Sequence, residues 1–360
     1  ELAVAAQPFD RRGKIRGPQR FVSELGDLPI RASGLAQIYL TIGLLMAVGA
    51  GGLSIATGST VAARWFEQRR GVAIGLAAGG MSAGQLVVIP LAMSLTLSYG
   101  WRTSYFWLAL GLLVLMLPIA FFLVRNDPAE RGLRPYGATG SASAAATAAA
   151  IEKSQRVAVL EAMRVPQFWL LMATFFVCGY TSNGMVLTHF MPHALEHNFS
   201  ELQASMALAV MGAMNVVGTI ASGWICDRFG RRGPLAFFYF FRGVSLLFLL
   251  YVWNAPSLHV WAAVFGLNYI STVPPTTTLT ANIFGRYSVG ELSGWIFLSH
   301  QVGSALGAAL AGWIYEWTGG YEIAFVTAAT MGIVASGLAL AIREEPVTSR
   351  PAAIPAPATS

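Results

Sequence analysis

Apolar runs of about twenty residues, separated by short polar segments, constrain this chain more than any other feature. A helix of that length crosses roughly 30 Å of hydrocarbon, where the backbone must satisfy its own hydrogen bonds. Only 11% of the 360 residues are charged, against about 25% in an ordinary soluble domain. The sequence predicts an all-α integral membrane protein that partners the lipid bilayer, with about nine transmembrane helices: 36–60, 72–97, 103–124, 168–190, 202–225, 235–253, 259–284, 292–315 and 321–342.

The basic residues of the short loops predict the orientation of these helices. One set of loops carries only Arg102, whereas the other carries Arg64, Arg69, Arg70, Arg228, Arg231, Arg232, Arg286 and Arg343. Because cytoplasmic loops are enriched in Lys and Arg, the second set is expected inside, with the C-terminus cytoplasmic in a multi-pass plasma-membrane protein. The net charge of +6 is dispersed among these clusters, so it does not indicate nucleic-acid binding.

The segment between the third and fourth spans is small, polar and low in complexity, which favours a flexible cytoplasmic linker at 126–165. It separates a partial N-terminal bundle of three helices, 35–125, from a complete six-helix C-terminal bundle, 166–345. Residues 346–360 are expected to form a disordered tail.

The segment 1–34 does not fit this topology. Its basic residues belong on the cytoplasmic side, yet the first span would place them outside. It also carries "FDRRG" at 9–13, a partial copy of "CDRFGRRGP" at 226–234, as expected if two homologous bundles each carried this loop. We interpret 1–34 as aberrant or degraded, with 18–33 standing where a helix belongs, and the chain as N-terminally truncated.

Four motifs resemble the major facilitator superfamily, in which twelve helices form two six-helix halves. "DRFGRR" at 227–232 resembles its cytoplasmic loop motif. "RWFEQRRGVAIGLAAGGMSAG" at 64–84 resembles the signature of the monocarboxylate-transporter-like bacterial branch, through Trp65, Phe66, Arg69, Arg70 and Gly75. "TVPPTTTLTANIFGR" at 272–286 and "GWIFLSHQVGSALGAALAG" at 294–312 are also similar. The resemblance makes the nine spans helices four to twelve.

The resemblance implies a gating latch in the loop at 227–232. Its expected members are Gly223, Asp227, Arg228, Gly230, Arg231 and Arg232. Asp227 is expected near the N-terminus of the helix that begins near Leu292, where the helix dipole favours a carboxylate, with a loop arginine as its partner. Glycines about four residues apart in 75–84 and 303–307 predict close helix packing.

Polar residues near mid-membrane are the candidate substrate-binding residues: His300, Asn268, Asn183, Asn215, Gln85 and Gln301. Glu322, the second residue of the last predicted span, is the one acidic residue inside a span, so proton coupling near mid-membrane within these helices would depend on His300. A neutral histidine that bonds two helices is the alternative for His300, and interhelical bonding is favoured for Gln301.

Arg242 is the remaining charge inside a predicted span. It could anchor a substrate carboxylate, but its helix is peripheral to the cavity in the family, which favours snorkelling or a structural pairing. The acid and base that the family carries between positions 202 and 225 have no counterpart here.

Other kinds of site lack support in the sequence. His189, His193 and His197 have helical spacing that suits zinc, but Pro192 interrupts them, so no metal site is predicted. Cys178 and Cys226 lie in or at the end of apolar runs and indicate small core residues. No motif of a hydrolase or ATPase is present, so no enzyme activity and no cofactor are predicted.

The leading hypothesis is a monomeric secondary transporter that moves a small organic anion, with a monocarboxylate and proton symport as candidates, by alternating access. Efflux of drugs or amphipathic compounds on the same fold is one alternative. A non-transporting remnant of such a transporter is the other.

Overall fold

The computed structural model describes residues 54–139 and 156–347, with the single positions 40, 44 and 147. Within these ranges the chain forms two compact units, one containing 89–123 and the other containing 55–88, 124–139 and 156–347. The interpretation of 1–34 as degraded falls outside the described residues. The tail predicted at 346–360 also falls outside them, except for Pro346 and Val347, and the backbone N–H of Val347 donates to the carbonyl of Ile283 at 2.7 Å.

The first helices follow the predicted spans. Helix α1 is Ile55–Trp65, α2 is Arg70–Tyr99 and α3 is Trp101–Leu123, which contains Pro118. The span predicted at 36–60 is described only in part. The first half of α2 belongs to the larger unit, and α3 lies in the smaller one.

The larger unit continues with helices from both sides of the linker. The remaining helices are α4 (Val159–Ala162), α5 (Pro166–Gly179), α6 (Thr188–Glu196), α7 (Glu201–Phe229), α8 (Arg232–Leu249), α9 (Ala255–Tyr269), α10 (Val273–Phe284), α11 (Val289–Thr318) and α12 (Glu322–Ala341).

The predicted all-helical architecture is confirmed within the described residues, where an isolated bridge between Phe66 and Tyr136 is the sole β-type pairing. Four of the described segments are both long and apolar enough to cross a membrane by length and hydropathy: Pro166–Glu196, Glu201–Phe229, Arg232–Leu249 and Glu322–Ala341.

Two predicted spans are interrupted. The run at 168–190 passes through a π-helical stretch, Tyr180–Leu187, between α5 and α6. The run at 259–284 is not one helix, because α9 ends at Tyr269 and α10 begins at Val273. Pro274 and Pro275 explain the second break, since proline lacks an N–H and suits the first turn of a new helix.

The larger unit buries several polar side chains beside an apolar core and exposes many large apolar side chains. On α8, Tyr239 and Arg242 are fully buried, whereas Phe237 and Phe240 are exposed. This distribution suits a helix bundle in lipid, because lipid tails accept apolar surface and buried polar groups bond between helices.

Candidate substrate site and cytoplasmic latch

The start of α2 packs closely against the end of α7. A Cβ atom at Gly75 would lie 2.8 Å from the carbonyl oxygen of Thr219 and 3.3 Å from the Cα of Gly223. A Cβ atom at Gly71 would likewise clash with the carbonyl oxygen of Gly223, and a Cβ atom at Gly223 would clash with the carbonyl oxygen of Gly71. Small residues therefore bring these two backbones together, as the spacing of the glycines predicts. Gly80 and Gly84 have no such neighbour.

Asp227 caps the N-terminus of α2. Its Oδ1 accepts a hydrogen bond from the backbone N–H of Gly71 at 2.8 Å, and its Oδ2 accepts one from Val72 at 2.9 Å. The first N–H groups of a helix have no intrahelical acceptor, and the helix dipole favours a negative charge there. The expectation that Asp227 caps the helix beginning near Leu292 is therefore wrong, because the partner is the helix beginning at Arg70.

The predicted latch arginines do not pair with Asp227. Arg228 stacks over the ring of Trp224, with 5.7 Å between its Cζ atom and the ring centroid. Arg231 lies 3.8 Å from Glu344, which also accepts from the backbone N–H of Arg232 at 3.1 Å. Gly230, with φ of 85°, ends α7. The expectation that a loop arginine pairs with Asp227 is thus wrong within the described residues.

An open cavity of about 520 Å³ lies beside this cap. Arg69, Val72, Trp224, Asp227 and Arg228 line it. The cavity therefore joins the signature at 64–84 and the loop motif at 227–232, which the sequence treats as separate features.

The signature segment also contacts the residues that follow α10. Arg286 forms an ion pair with Glu67 at 3.0 Å, and its side chain is only 5% exposed. Arg70 donates a hydrogen bond to Oδ1 of Asn282 at 3.2 Å. These polar contacts form a second connection between the segments before and after the linker.

The beginning of the predicted linker is docked on this same region. Trp65 donates its indole N–H to the carbonyl of Arg125 at 2.9 Å, and the backbone N–H of Tyr136 donates to the carbonyl of Trp65 at 2.7 Å. Tyr287 donates its hydroxyl to Oδ2 of Asp127 at 2.8 Å. Residues 125–138, which we call the strap, therefore connect the signature segment to the residues after α10.

The break between α9 and α10 lies at the polar centre of the bundle. Asn215 is buried, and its Nδ2 donates to Ser82 on α2 at 2.7 Å. Its Oδ1 accepts the backbone N–H of Ile270 at 3.0 Å. The amide of Asn215 therefore satisfies a backbone group that the break leaves without a helical partner.

Two other candidate asparagines lie near this break. Asn183, which is half-buried in the π-helical stretch, accepts a hydrogen bond from the hydroxyl of Tyr269 at 2.8 Å. Asn268 is buried and donates to the carbonyl of Val264 at 2.7 Å. Gln85 lies on α2, but its side chain is outside the described residues.

His300 faces α5 from α11. Its ring lies 5.0 Å from that of Phe175, measured between centroids, and its Nδ1 lies 3.0 Å from Oε1 of Gln301, which is exposed. Ser304 bonds the carbonyl of Gly179 at 3.2 Å. Substrate-binding roles for His300, Gln301 and the asparagines stay predictions.

Arg242 does not snorkel to the surface. It is fully buried, and its guanidinium donates to the backbone carbonyls of Asn268 and Tyr269, the latter at 2.6 Å. It also contacts Sγ of Cys178 at 3.0 Å. The structural alternative from the sequence analysis is the one that these contacts support.

Of the three histidines at the other end of the bundle, His193 and His197 contact each other, with 4.2 Å between their ring centroids. His189 lies 3.0 Å from the carbonyl of Ala308, and His197 lies 3.9 Å from Glu322. Within the described ranges no group of three or more His, Cys, Asp or Glu side chains is placed to hold a metal ion.

Sequence reasoning missed several residues of these networks. They include Tyr269, Thr272 and Cys178, which form hydrogen bonds at the break between α9 and α10. They also include Asp127 and Tyr287, whose hydrogen bond attaches the strap. The Pro274–Pro275 pair is the one sequence signal that could have located the break.

Residues 28–303 match the Major Facilitator Superfamily. Among curated proteins, the chain is 26% identical over 319 residues to the uncharacterized MFS-type transporter YcxA of Bacillus subtilis, covering 84% of this chain and 73% of that protein. It is 25% identical over 314 residues to Monocarboxylate transporter 12 of Mus musculus, covering 82% of this chain and 64% of that protein. The chain thus spans about two thirds of the length of such relatives.

Solved structures show the same fold. The proton:xylose symporter XylE matches with a TM-score of 0.65 at 16% identity, covering 90% of this chain and 77% of that one. The Escherichia coli fucose:proton symporter FucP matches with a TM-score of 0.60 at 16% identity, covering 83% of this chain and 75% of that one. The predicted major facilitator fold is confirmed.

Proposed function

Because this chain belongs to the Major Facilitator Superfamily, we propose that it carries a small organic anion across the plasma membrane by alternating access. The family and the relatives indicate a transporter and not an enzyme. A monocarboxylate is the first candidate, since several relatives are named monocarboxylate transporters. Proton symport is the first candidate for coupling, since two structural neighbours are proton symporters.

One observation carries this proposal: a polar centre lies between helices that noncovalent contacts hold together at one end, which the proposal takes as the cytoplasmic end. Asn215 bonds Ser82 at that centre, and Asp227 bonds Gly71 at the end. Alternating access needs such a pair of features, because the binding region must open to each side in turn. The latch role of Asp227 and its neighbours is part of this proposal.

Purified protein in liposomes would test the proposal. Uptake of radiolabelled lactate, pyruvate and oxalate is measured with and without an inward proton gradient. We expect the gradient to accelerate uptake of at least one acid and His300→Ala to remove that acceleration. His259→Ala is the matched control, because it removes a histidine near the start of α9, away from the break.

The outcomes separate the alternatives. Uptake at the same rate with and without the gradient would contradict proton coupling. Acceleration by the gradient that persists in His300→Ala would show that His300 is a packing residue and that proton coupling depends on another group. Absence of uptake of every acid would overturn the anion proposal. Resistance of expressing cells to amphipathic toxins would then favour efflux, and its absence a remnant that does not transport.

A further inference from the structure

We propose that Arg242 is a specificity-determining residue, whose buried guanidinium makes the polar centre of the bundle positive and favours anions without touching them. This inference rests on the proposed function, because it supplies the reason why the substrate would be an anion. It assigns to Arg242 an electrostatic role in addition to its hydrogen bonds.

Arg242 is held in place by backbone carbonyls, a hydroxyl, a thiol group and an aromatic ring, and by no carboxylate among the described residues. One terminal nitrogen donates to the carbonyls of Asn268 and Tyr269 and lies 3.4 Å from Oγ1 of Thr272. The other lies 3.0 Å from Sγ of Cys178. The guanidinium carbon lies 5.5 Å from the centroid of the Tyr239 ring. The carbonyls at the end of α9 and the ring face attract a cation, but they carry no net charge.

No carboxylate balances this cation within the described part of the chain. Arg242 has no acidic partner there, in contrast to Arg286, which pairs with Glu67 at 3.0 Å. The acidic residues of α5–α12 lie at or near helix ends, namely Glu196, Glu201, Asp227, Glu291, Glu316 and Glu322. A guanidinium keeps its proton in proteins. The middle of these helices therefore holds a positive charge that no carboxylate of the described residues contacts.

Such a charge acts over a longer distance here than at a surface. Coulomb energies grow as the effective dielectric constant falls, and mobile salt does not screen a group that is fully buried. An anion that enters the centre is stabilised, and a cation is repelled. Hydrogen bonding alone does not require the charge, because a neutral amide could also donate to two carbonyls.

Tyr269 connects this cation to the candidate substrate residues. Its backbone carbonyl accepts from Arg242 at 2.6 Å, while its hydroxyl donates to Asn183 at 2.8 Å. Asn183 is half-buried, whereas Arg242 has no exposed surface. A substrate at Asn183 would thus experience the potential of Arg242 without reaching its guanidinium.

A charge-selective cysteine reporter measures this potential directly. The chain contains two cysteines, so Cys178→Ser and Cys226→Ser give a background in which Asn183→Cys is the sole thiol. The reaction rates of a negatively charged and a positively charged methanethiosulfonate are compared. We expect the ratio of anionic to cationic rate to fall about tenfold on Arg242→Gln and to be kept by Arg242→Lys.

A second variant removes the charge while keeping the arginine. In the same reporter background, Cys178→Asp replaces Cys178→Ser and places a carboxylate next to the guanidinium. We expect the same fall in the ratio, with Arg242 still present to hold the break. The matched control reporter is Asn198→Cys, an exposed position beyond α6, where the ratio should not change. Arg242→Lys and Cys178→Asp carry the test if Arg242→Gln does not fold.

An unchanged ratio with both Arg242→Gln and Cys178→Asp would overturn the proposal. The reporter needs no transported substrate, so its result is independent of the uptake assay. A fall in the ratio without uptake of any acid would support the potential and contradict the proposed function. Uptake of an acid together with an unchanged ratio would support the proposed function and contradict the role of Arg242.

Discussion

The carboxylate of Asp227 accepts a hydrogen bond of 2.8 Å from the backbone N–H of Gly71, 156 residues earlier in the chain. The bond joins the C-terminal end of α7 to the first turn of α2, and Val72 adds a second N–H at 2.9 Å. Because one side chain satisfies two helix-terminal N–H groups, a change at position 227 acts directly on this contact between segments on either side of the linker.

Asp227→Asn should weaken this cap by about 1–2 kcal/mol. The asparagine side chain has no charge for the helix dipole, and its NH₂ group would face one of the two N–H groups. Hydrogen–deuterium exchange of the segment 70–75 should accelerate roughly tenfold, as about 1.4 kcal/mol implies.

Glu344→Gln is the control for this experiment, since Glu344 accepts from the N–H groups of Arg231 and Arg232 and does not touch α2. It should leave exchange in 70–75 unchanged. Equal exchange rates in Asp227→Asn and the unmodified protein would show that the cap contributes little to holding the first turn of α2 against α7.

Gly75→Ala should destabilise the packing of α2 on α7, whereas Gly80→Ala should not. A methyl group at Gly75 would lie 2.8 Å from the carbonyl of Thr219, but one at Gly80 has no neighbour within 4 Å. Overpacking typically costs about 1–3 kcal/mol, while Ala in a helix gains up to about 1 kcal/mol over Gly. Thermal unfolding in detergent should show a lower midpoint for Gly75→Ala alone, and equal midpoints would contradict the close contact.

The long apolar runs were sufficient to predict the helices, because a membrane leaves few alternatives for a backbone that must bond to itself. The glycine spacing similarly predicted the packed face that contains Gly75. It did not separate Gly75 from Gly80, since a one-dimensional pattern does not specify which side of a helix meets a neighbour.

The partners of charged residues could not be predicted in the same way. Both α2 and α11 begin after short polar loops, so the sequence pattern does not specify which helix N-terminus Asp227 caps. The partners of Arg242 are backbone carbonyls exposed by the break after Tyr269. The residue types alone do not show which backbone carbonyls lack a helical partner. The sequence therefore left the role of Arg242 open.

The Glu67–Arg286 pair should contribute more to stability than the Arg231–Glu344 pair. The first has a distance of 3.0 Å and an Arg286 side chain that is 5% exposed, whereas the second has 3.8 Å and side chains about 30% exposed. A double-mutant cycle with glutamine replacements should give a coupling of about 1 kcal/mol for the first and under about 0.5 kcal/mol for the second. Because Glu67 is 41% exposed, solvent screening keeps the first value modest. Equal couplings would mean that burial of Arg286 adds nothing to its pairing with Glu67.

Tyr287→Phe should loosen the strap where it meets the residues after α10. The substitution removes the hydroxyl that donates to Asp127 at 2.8 Å and keeps the ring in place. A hydrogen bond to a charged group contributes about 1.5–3 kcal/mol when buried, and partial exposure of Asp127 lowers this to about 1 kcal/mol. Hydrogen–deuterium exchange in 125–132 should therefore accelerate several-fold.

Tyr315→Phe provides the matched control, because its hydroxyl donates to Glu196 near the other end of the helices. Faster exchange of 125–132 in Tyr287→Phe, with Tyr315→Phe unchanged, would show that this hydroxyl contributes to holding the strap in place. Transport measured on the same variants then gives the strap's role. If the strap must detach before the cytoplasmic side opens, Tyr287→Phe should raise the turnover rate, whereas a strap that only supports the fold should leave the rate equal or lower.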